Sequence, residues 1–147
     1  MKRIGLGLGL GLGLALAASA HAEPGWDLKV PERVELVAGE AGTLSIAIAV
    51  DRGLAISKDA GLVLDLAPEG AVDVGRKRLG RADAVDPDAD SPRFAVALRA
   101  DAAGDFRVRM HLRFWLCGQK SCRPIDARRT VAVAVAAAAP PAPAPTP

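Results

Sequence analysis

From residue 106 to 116 every second side chain is large and apolar. Phe106, Val108, Met110, Leu112, Phe114 and Leu116 alternate with Arg107, Arg109, His111, Arg113 and Trp115. A period of two matches a strand with one buried and one wet face; on a helix the same residues would be smeared around every side. Shorter stretches repeat the pattern: Leu44, Ile46, Ile48 and Val50; Leu62, Leu64 and Leu66; Phe94, Val96 and Leu98. Further strands are expected over 28–37, 72–79 and 130–135, with turns over 38–42, 51–53, 67–70, 80–92 and 101–104. Alanine is abundant, yet no segment carries a capped stripe of period 3.6, so helices are not expected. Seven or so short strands at this spacing predict an all-β chain, an immunoglobulin-like antiparallel β-sandwich.

The two ends differ from this middle. Met1-Lys2-Arg3, an apolar Gly/Leu run over 4–17 and Ala20-His21-Ala22 have the layout of a cleavable signal peptide, with cleavage expected after Ala22. The apolar run is short and glycine-rich for a membrane span, and no cysteine sits at the cleavage point, so neither stable membrane insertion nor a lipid anchor is expected. The expected division is a signal peptide over 1–22, one domain over 23–135 and an Ala/Pro-rich disordered tail over 136–147, with the mature chain periplasmic or secreted. Taking Lys2 and Arg3 from the 19 basic residues leaves 17 against 17 acidic ones. A neutral domain has no electrostatic footprint for nucleic acid, and that class of partner is set aside.

Chemistry is concentrated at the only two cysteines, Cys117 and Cys122. In an exported chain two cysteines usually pair, and the four residues between them fit a hairpin tip that meets the usual Cα separation of about 4.4–6.8 Å. If the even positions of the long strand are buried, Cys117 continues the outward face with Arg113 and Trp115. Arg113, Lys120 and Arg123 lie close in sequence, and positive charge favours the thiolate needed for thiol–disulfide exchange. A six-residue ring contributes about 2 kcal/mol by loop entropy against about 4.7 for a ring of about 100 residues, so a staple gains little from this spacing. A redox-active pair, an inert staple and a two-thiolate metal site all remain open at this level.

Residues 53–135 resemble the N-terminal periplasmic domain of the thiol:disulfide interchange protein DsbD and its stand-alone secreted relatives. The resemblance rests on Asp51-Arg52-Gly53-Leu54-Ala55-Ile56-Ser57-Lys58 after an early strand, the long strand into Cys117, the nearby Cys122, and Pro124 two residues beyond. It implies an immunoglobulin-like fold whose cysteine pair takes electrons from a membrane-embedded partner and passes them to other envelope proteins; Cys117 and Cys122 alone are carried over. The chain departs from that pattern at Leu54, where many relatives have an aromatic residue, in the loop 80–92, which has no aromatic cap, and in a cysteine spacing one residue shorter than in DsbD.

The other constellations are weaker. Asp86-Pro87-Asp88-Ala89-Asp90 begins like a calcium loop, but Ser91 and Ala97 stand where glycine and glutamate are needed, so an acidic solvated loop is expected. A copper site joining Met110 or His111 to the cysteines is excluded by the roughly 20 Å that six strand residues span. His111 has no nearby serine for a hydrolytic triad, and no glycine-rich phosphate loop opens a helix. The resulting expectation is a thiol–disulfide exchange module acting through Cys117 and Cys122. It would need no cofactor or metal and would face a thioredoxin-like or membrane redox protein of the envelope. The alternative is a non-catalytic envelope binding module with an inert disulfide.

Overall fold

The computed structural model describes residues 24–146; the expected signal peptide, Glu23 and Pro147 lie outside the described residues. Among the described residues ten strands succeed one another: β1 (Trp26–Lys29), β2 (Arg33–Val37), β3 (Ala41–Val50), β4 (Ala55–Ile56), β5 (Val63–Glu69), β6 (Asp73–Val74), β7 (Arg78–Gly80), β8 (Arg93–Arg99), β9 (Gly104–Cys117) and β10 (Cys122–Ala136). A 3-10 turn, Arg81–Asp83, sits between β7 and β8. Strands β1-β3-β8-β6 form a four-stranded sheet; β2-β10-β9-β5-β7 form the other, with β4 added beside the upper end of β9. The chain is an immunoglobulin-like β-sandwich.

Alternation places the core. Leu44, Ile46, Ile48, Phe94, Val96 and Leu98 point inward from one sheet and meet Leu64, Val108, Leu112, Phe114, Val131 and Val133 from the other. Trp26 of β1 stands edge-on to Phe114 of β9, with ring centroids 5.3 Å apart and planes at 87°, a favoured aromatic geometry that ties the sheets together near the end of β9. No polar or charged residue is buried among the described residues, so any chemistry is at the surface.

Several sequence expectations need correction. The strand expected over 28–37 is two strands in different sheets, because Pro31, which lacks an N–H, marks the crossover between them. The stretch 72–79 likewise divides into β6 and β7, one per sheet. Residues 67–69, read as a turn, extend β5, and Ala41 already belongs to β3. The strand expected over 130–135 is the last part of a 15-residue strand that starts at Cys122. The sandwich is also not wholly antiparallel, since β2 runs parallel to β10 from Arg33↔Ala132 to Val37↔Ala136. Phe106 has the inward parity but is only half-buried at the strand's lower end. Ala136 closes β10, and the residues beyond it to 146 are exposed and without regular structure.

The edge of the larger sheet at β10 is only partly covered. Strand β10 pairs with β9 from Cys122↔Cys117 to Val135↔Gly104, whereas β2 covers its other side only from Ala132 onward. Among the described residues, the edge from 122 to 130 is therefore open. It is blunted against strand addition by Pro124, which offers no N–H, and by Arg129, which has inward parity yet remains exposed.

Candidate functional site: the cysteine pair at the hairpin tip

Sheet order decides how each sulfur is presented. Cys117 ends β9 and Cys122 begins β10; the two are direct partners in the register, joined by a disulfide with Cα atoms 4.0 Å apart, closer than expected. Gly118 N–H donates to the Ser121 carbonyl at 2.9 Å and closes the tip. Cys117 lies on an inner strand, between Cys122 on one side and Ala55 of β4 on the other, and is half-buried. Cys122 lies on the open edge and is exposed. Parity correctly turns Cys117 toward the face of Trp115, but β4 shields it, which no local pattern in the sequence announces.

The shielding segment is held at several points. Residues 51–54 form a β-turn closed by Leu54 N–H to the Asp51 carbonyl at 3.1 Å, with Gly53 at φ +85, a conformation that favours glycine. The Leu54 side chain then reaches the hairpin tip: a Cβ on Gly118 would stand 3.4 Å from its Cδ2. Gly25, at φ +95, leaves room for the same leucine, since a Cβ there would come within 2.5 Å of its Cδ1. Ser57 N–H donates to the Trp115 carbonyl at 2.9 Å. On the far side of β4, the Arg81 guanidinium donates to the carbonyls of Ile56 at 3.0 Å and Ser57 at 3.4 Å. It also reaches those of Pro87 at 3.2 Å and Ala89 at 3.1 Å. Arg81 thereby ties the acidic loop to the strand beside Cys117. One of several basic residues between Arg76 and Arg81, Arg81 gave no signal of that role in the sequence.

The basic residues named from the sequence are not equivalent. Arg113 is committed to Asp65, its Nη2 donating to the carboxylate at 2.7 Å, while its covered Nε–H lacks a partner among the described residues. Arg123 turns to the Pro24 carbonyl. Lys120 is exposed at the tip. The segment 114–125 has Lys120 and Arg123 and no acidic residue, so the tip carries net positive charge.

In the acidic loop the Asp86 carboxylate accepts from Asp88 N–H at 3.1 Å, a local turn, and no cluster of potential metal ligands occurs among the described residues. His111 Nε2 lies 2.9 Å from both carboxylate oxygens of Asp126, a cross-strand neighbour pair that sequence reading missed because its members are 15 residues apart. The hydrogen bond from His111 holds the Asp126 carboxyl below the usual carboxylate range, with smaller help from the charges of His111, Arg128 and Arg113. No helix among the described residues is long and apolar enough to cross a membrane.

No protein-family model and no curated protein matches the chain. Among solved structures, it is similar to the ASH/PapD-like domain 7 of human CEP192 (8% identity, TM-score 0.42, covering 88% of this chain and 99% of that one). It is also similar to the CooA pilin subunit from enterotoxigenic Escherichia coli (16% identity, TM-score 0.37, 77% and 99% covered) and to murine CRIg (10% identity, TM-score 0.40, 76% and 97% covered).

Proposed function

We propose that this chain is a thiol–disulfide exchange module of the cell envelope, of the DsbD N-terminal type, acting through Cys117 and Cys122. The observation that carries the reading is the placement of the bond. It joins the ends of a hairpin whose strands are already in register down to Val135↔Gly104, with one sulfur on an open sheet edge. A bond there adds little to a hairpin already paired along its length, and exposed bonds are the labile ones.

The chemistry comes from the unequal exposure. A thiolate of the partner attacks Cys122 Sγ on the open edge; the Cys117–Cys122 bond breaks and Cys117 leaves as a thiolate. The partner's second thiol then attacks its own sulfur in the mixed disulfide and expels the Cys122 thiolate. The partner dithiol is oxidised to a disulfide, and this pair gains two electrons and two protons; the reverse sequence donates them. The positive tip lowers the cost of each thiolate.

Trapping tests this. Cys117→Ala leaves Cys122 without its internal partner, so expression in the envelope, acid quench and alkylation should yield a mixed disulfide of partner size on non-reducing gels. Cys122→Ala should yield far less. If neither variant traps a partner and the folded wild-type bond resists a reduced thioredoxin-like donor, the protein is a binding module with an inert disulfide.

A further inference from the structure

Below the cysteine pair, the outer face of the six-stranded sheet is rich in arginine. Its cross-strand rows read Val63–Arg113–Asp126, Asp65–His111–Arg128, Ala67–Arg109–Thr130 and Glu69–Arg107–Ala132. Two of the three carboxylates are each shared between two guanidinium groups. Asp65 meets Arg113 at 2.7 Å and Arg78 at 3.2 Å; Glu69 meets Arg109 at 2.7 Å and Arg107 at 3.6 Å. Asp126 is taken by His111, and among the described residues Arg128 has no carboxylate within ion-pair distance. At the lower end of this face Arg33 is matched by Glu35 and Asp105; above that cluster Arg78, Arg107, Arg109, Arg113 and Arg128 are set against Asp65, Glu69 and Asp126, so the upper part of the face keeps an excess of positive charge. The outer face of the other sheet has Thr43, Ser45, Ala47 and Ala49 of β3 and Ala95 and Ala97 of β8 at its centre, with Asp27, Lys29, Asp73, Arg93 and Arg99 toward its edges and ends.

At the top of the arginine field stands Trp115, 42% exposed. The other aromatic side chains are buried (Trp26, Phe94 and Phe114) or half-buried (Phe106). Trp115 has the parity of Cys117, two residues along the same strand, and its cross-strand neighbour is Pro124. An exposed tryptophan beside a proline, above a face with more arginines than carboxylates and adjoining a disulfide, has the anatomy of an interface centre with a charged surround.

We propose that this face, from Trp115 down to Arg107, docks the exchange partner, and that the partner presents an apolar patch flanked by acidic residues next to its reactive cysteine. The proposal rests on the exchange reading and adds the partner's chemistry to it. Opposite charge speeds encounter and fixes orientation, while the tryptophan supplies the buried contact that holds the sulfurs in line.

The test uses two reduced thioredoxin-fold donors, one with acidic residues around its Cys-x-x-Cys and the same protein with those residues changed to Asn and Gln, with dithiothreitol as the small reductant. Reduction of the purified protein is followed by acid quench and alkylation. With the acidic donor, Trp115→Ala should slow reduction about tenfold and Arg128→Glu several-fold, and the wild-type rate should fall about tenfold from low to physiological salt. Trp115→Phe and Arg128→Lys should recover most of the rate, which a loss of folding in the variants would not explain. The neutralised donor should show little salt dependence. If dithiothreitol reduces the bond but the acidic donor's rate is indifferent to salt and to both variants, the docking face is wrong and exchange stands. If neither donor nor dithiothreitol reduces the bond in the folded protein, both readings fall.

Discussion

Replacing both cysteines, Cys117→Ser with Cys122→Ser, should leave the fold standing, and the size of the loss is calculable. The ring spans a sequence separation of 5, for which the loop-entropy relation gives about 2 kcal/mol. That figure is small because the cross-link removes few conformations from the unfolded chain. In the folded chain, Leu116↔Arg123 and the pairs below remain, as does the pairing of Ala55 and Ile56 with the end of β9. Against the roughly 5–15 kcal/mol of a typical domain, about 2 kcal/mol weakens the folding equilibrium roughly thirtyfold and still leaves the native state dominant. With an m-value of about 1–3 kcal/mol/M in urea, the unfolding midpoint should drop by about 1 M, with the β-sheet circular dichroism spectrum unchanged. A loss above about 4 kcal/mol, or a variant that does not fold, would show that the bond is a structural staple and would refute the reasoning.

The strand parity makes an equally direct prediction: Leu112→Asp or Val108→Asp, both at 0% exposure, should prevent folding, whereas Arg109→Asp should stay soluble and folded in the same expression test. Leu112→Ala, which opens a cavity at the centre of the core, should cost about 2–5 kcal/mol in chemical denaturation. Arg81→Ala, which strips the side-chain donors from the carbonyls of Ile56, Ser57, Pro87 and Ala89, should cost about 1–3 kcal/mol and speed alkylation of Cys117 in the reduced protein, with Arg81→Lys restoring little. The Asp126 carboxyl should titrate below the ordinary carboxylate range by NMR and return toward it in His111→Ala. Because its folded value is depressed, its contribution to stability is present above the unfolded value and is lost as pH falls through the folded one.

Legibility in the sequence depended on how local each signal was. The alternation from Val108 to Leu116 reports burial residue by residue, and the buried side chains obey it. Pairing of Cys117 with Cys122 was also readable, because four intervening residues leave room for little besides a hairpin tip. What could not be read was which strand lies beside which. The shielding of Cys117 by Ala55, the exposure of Cys122 on an open edge, and the capture of Arg113 by Asp65 across a separation of 48 residues depend on sheet order. Pro31 was visible, yet a crossover between sheets and a short linker within one strand look alike until β2 is seen beside β10. The reach of Arg81 into the β4 edge had no periodic or motif signal at all.

The central claim, that the Cys117–Cys122 bond is made to be exchanged, is tested most directly by its reduction potential. The purified protein is equilibrated in graded redox buffers of glutathione or dithiothreitol, quenched with acid and alkylated, and the reduced fraction is fitted. A midpoint between about −180 and −270 mV lies in the range of thiol–disulfide exchange proteins and is the value expected here. A midpoint below about −300 mV would place the bond among structural disulfides and contradict the claim.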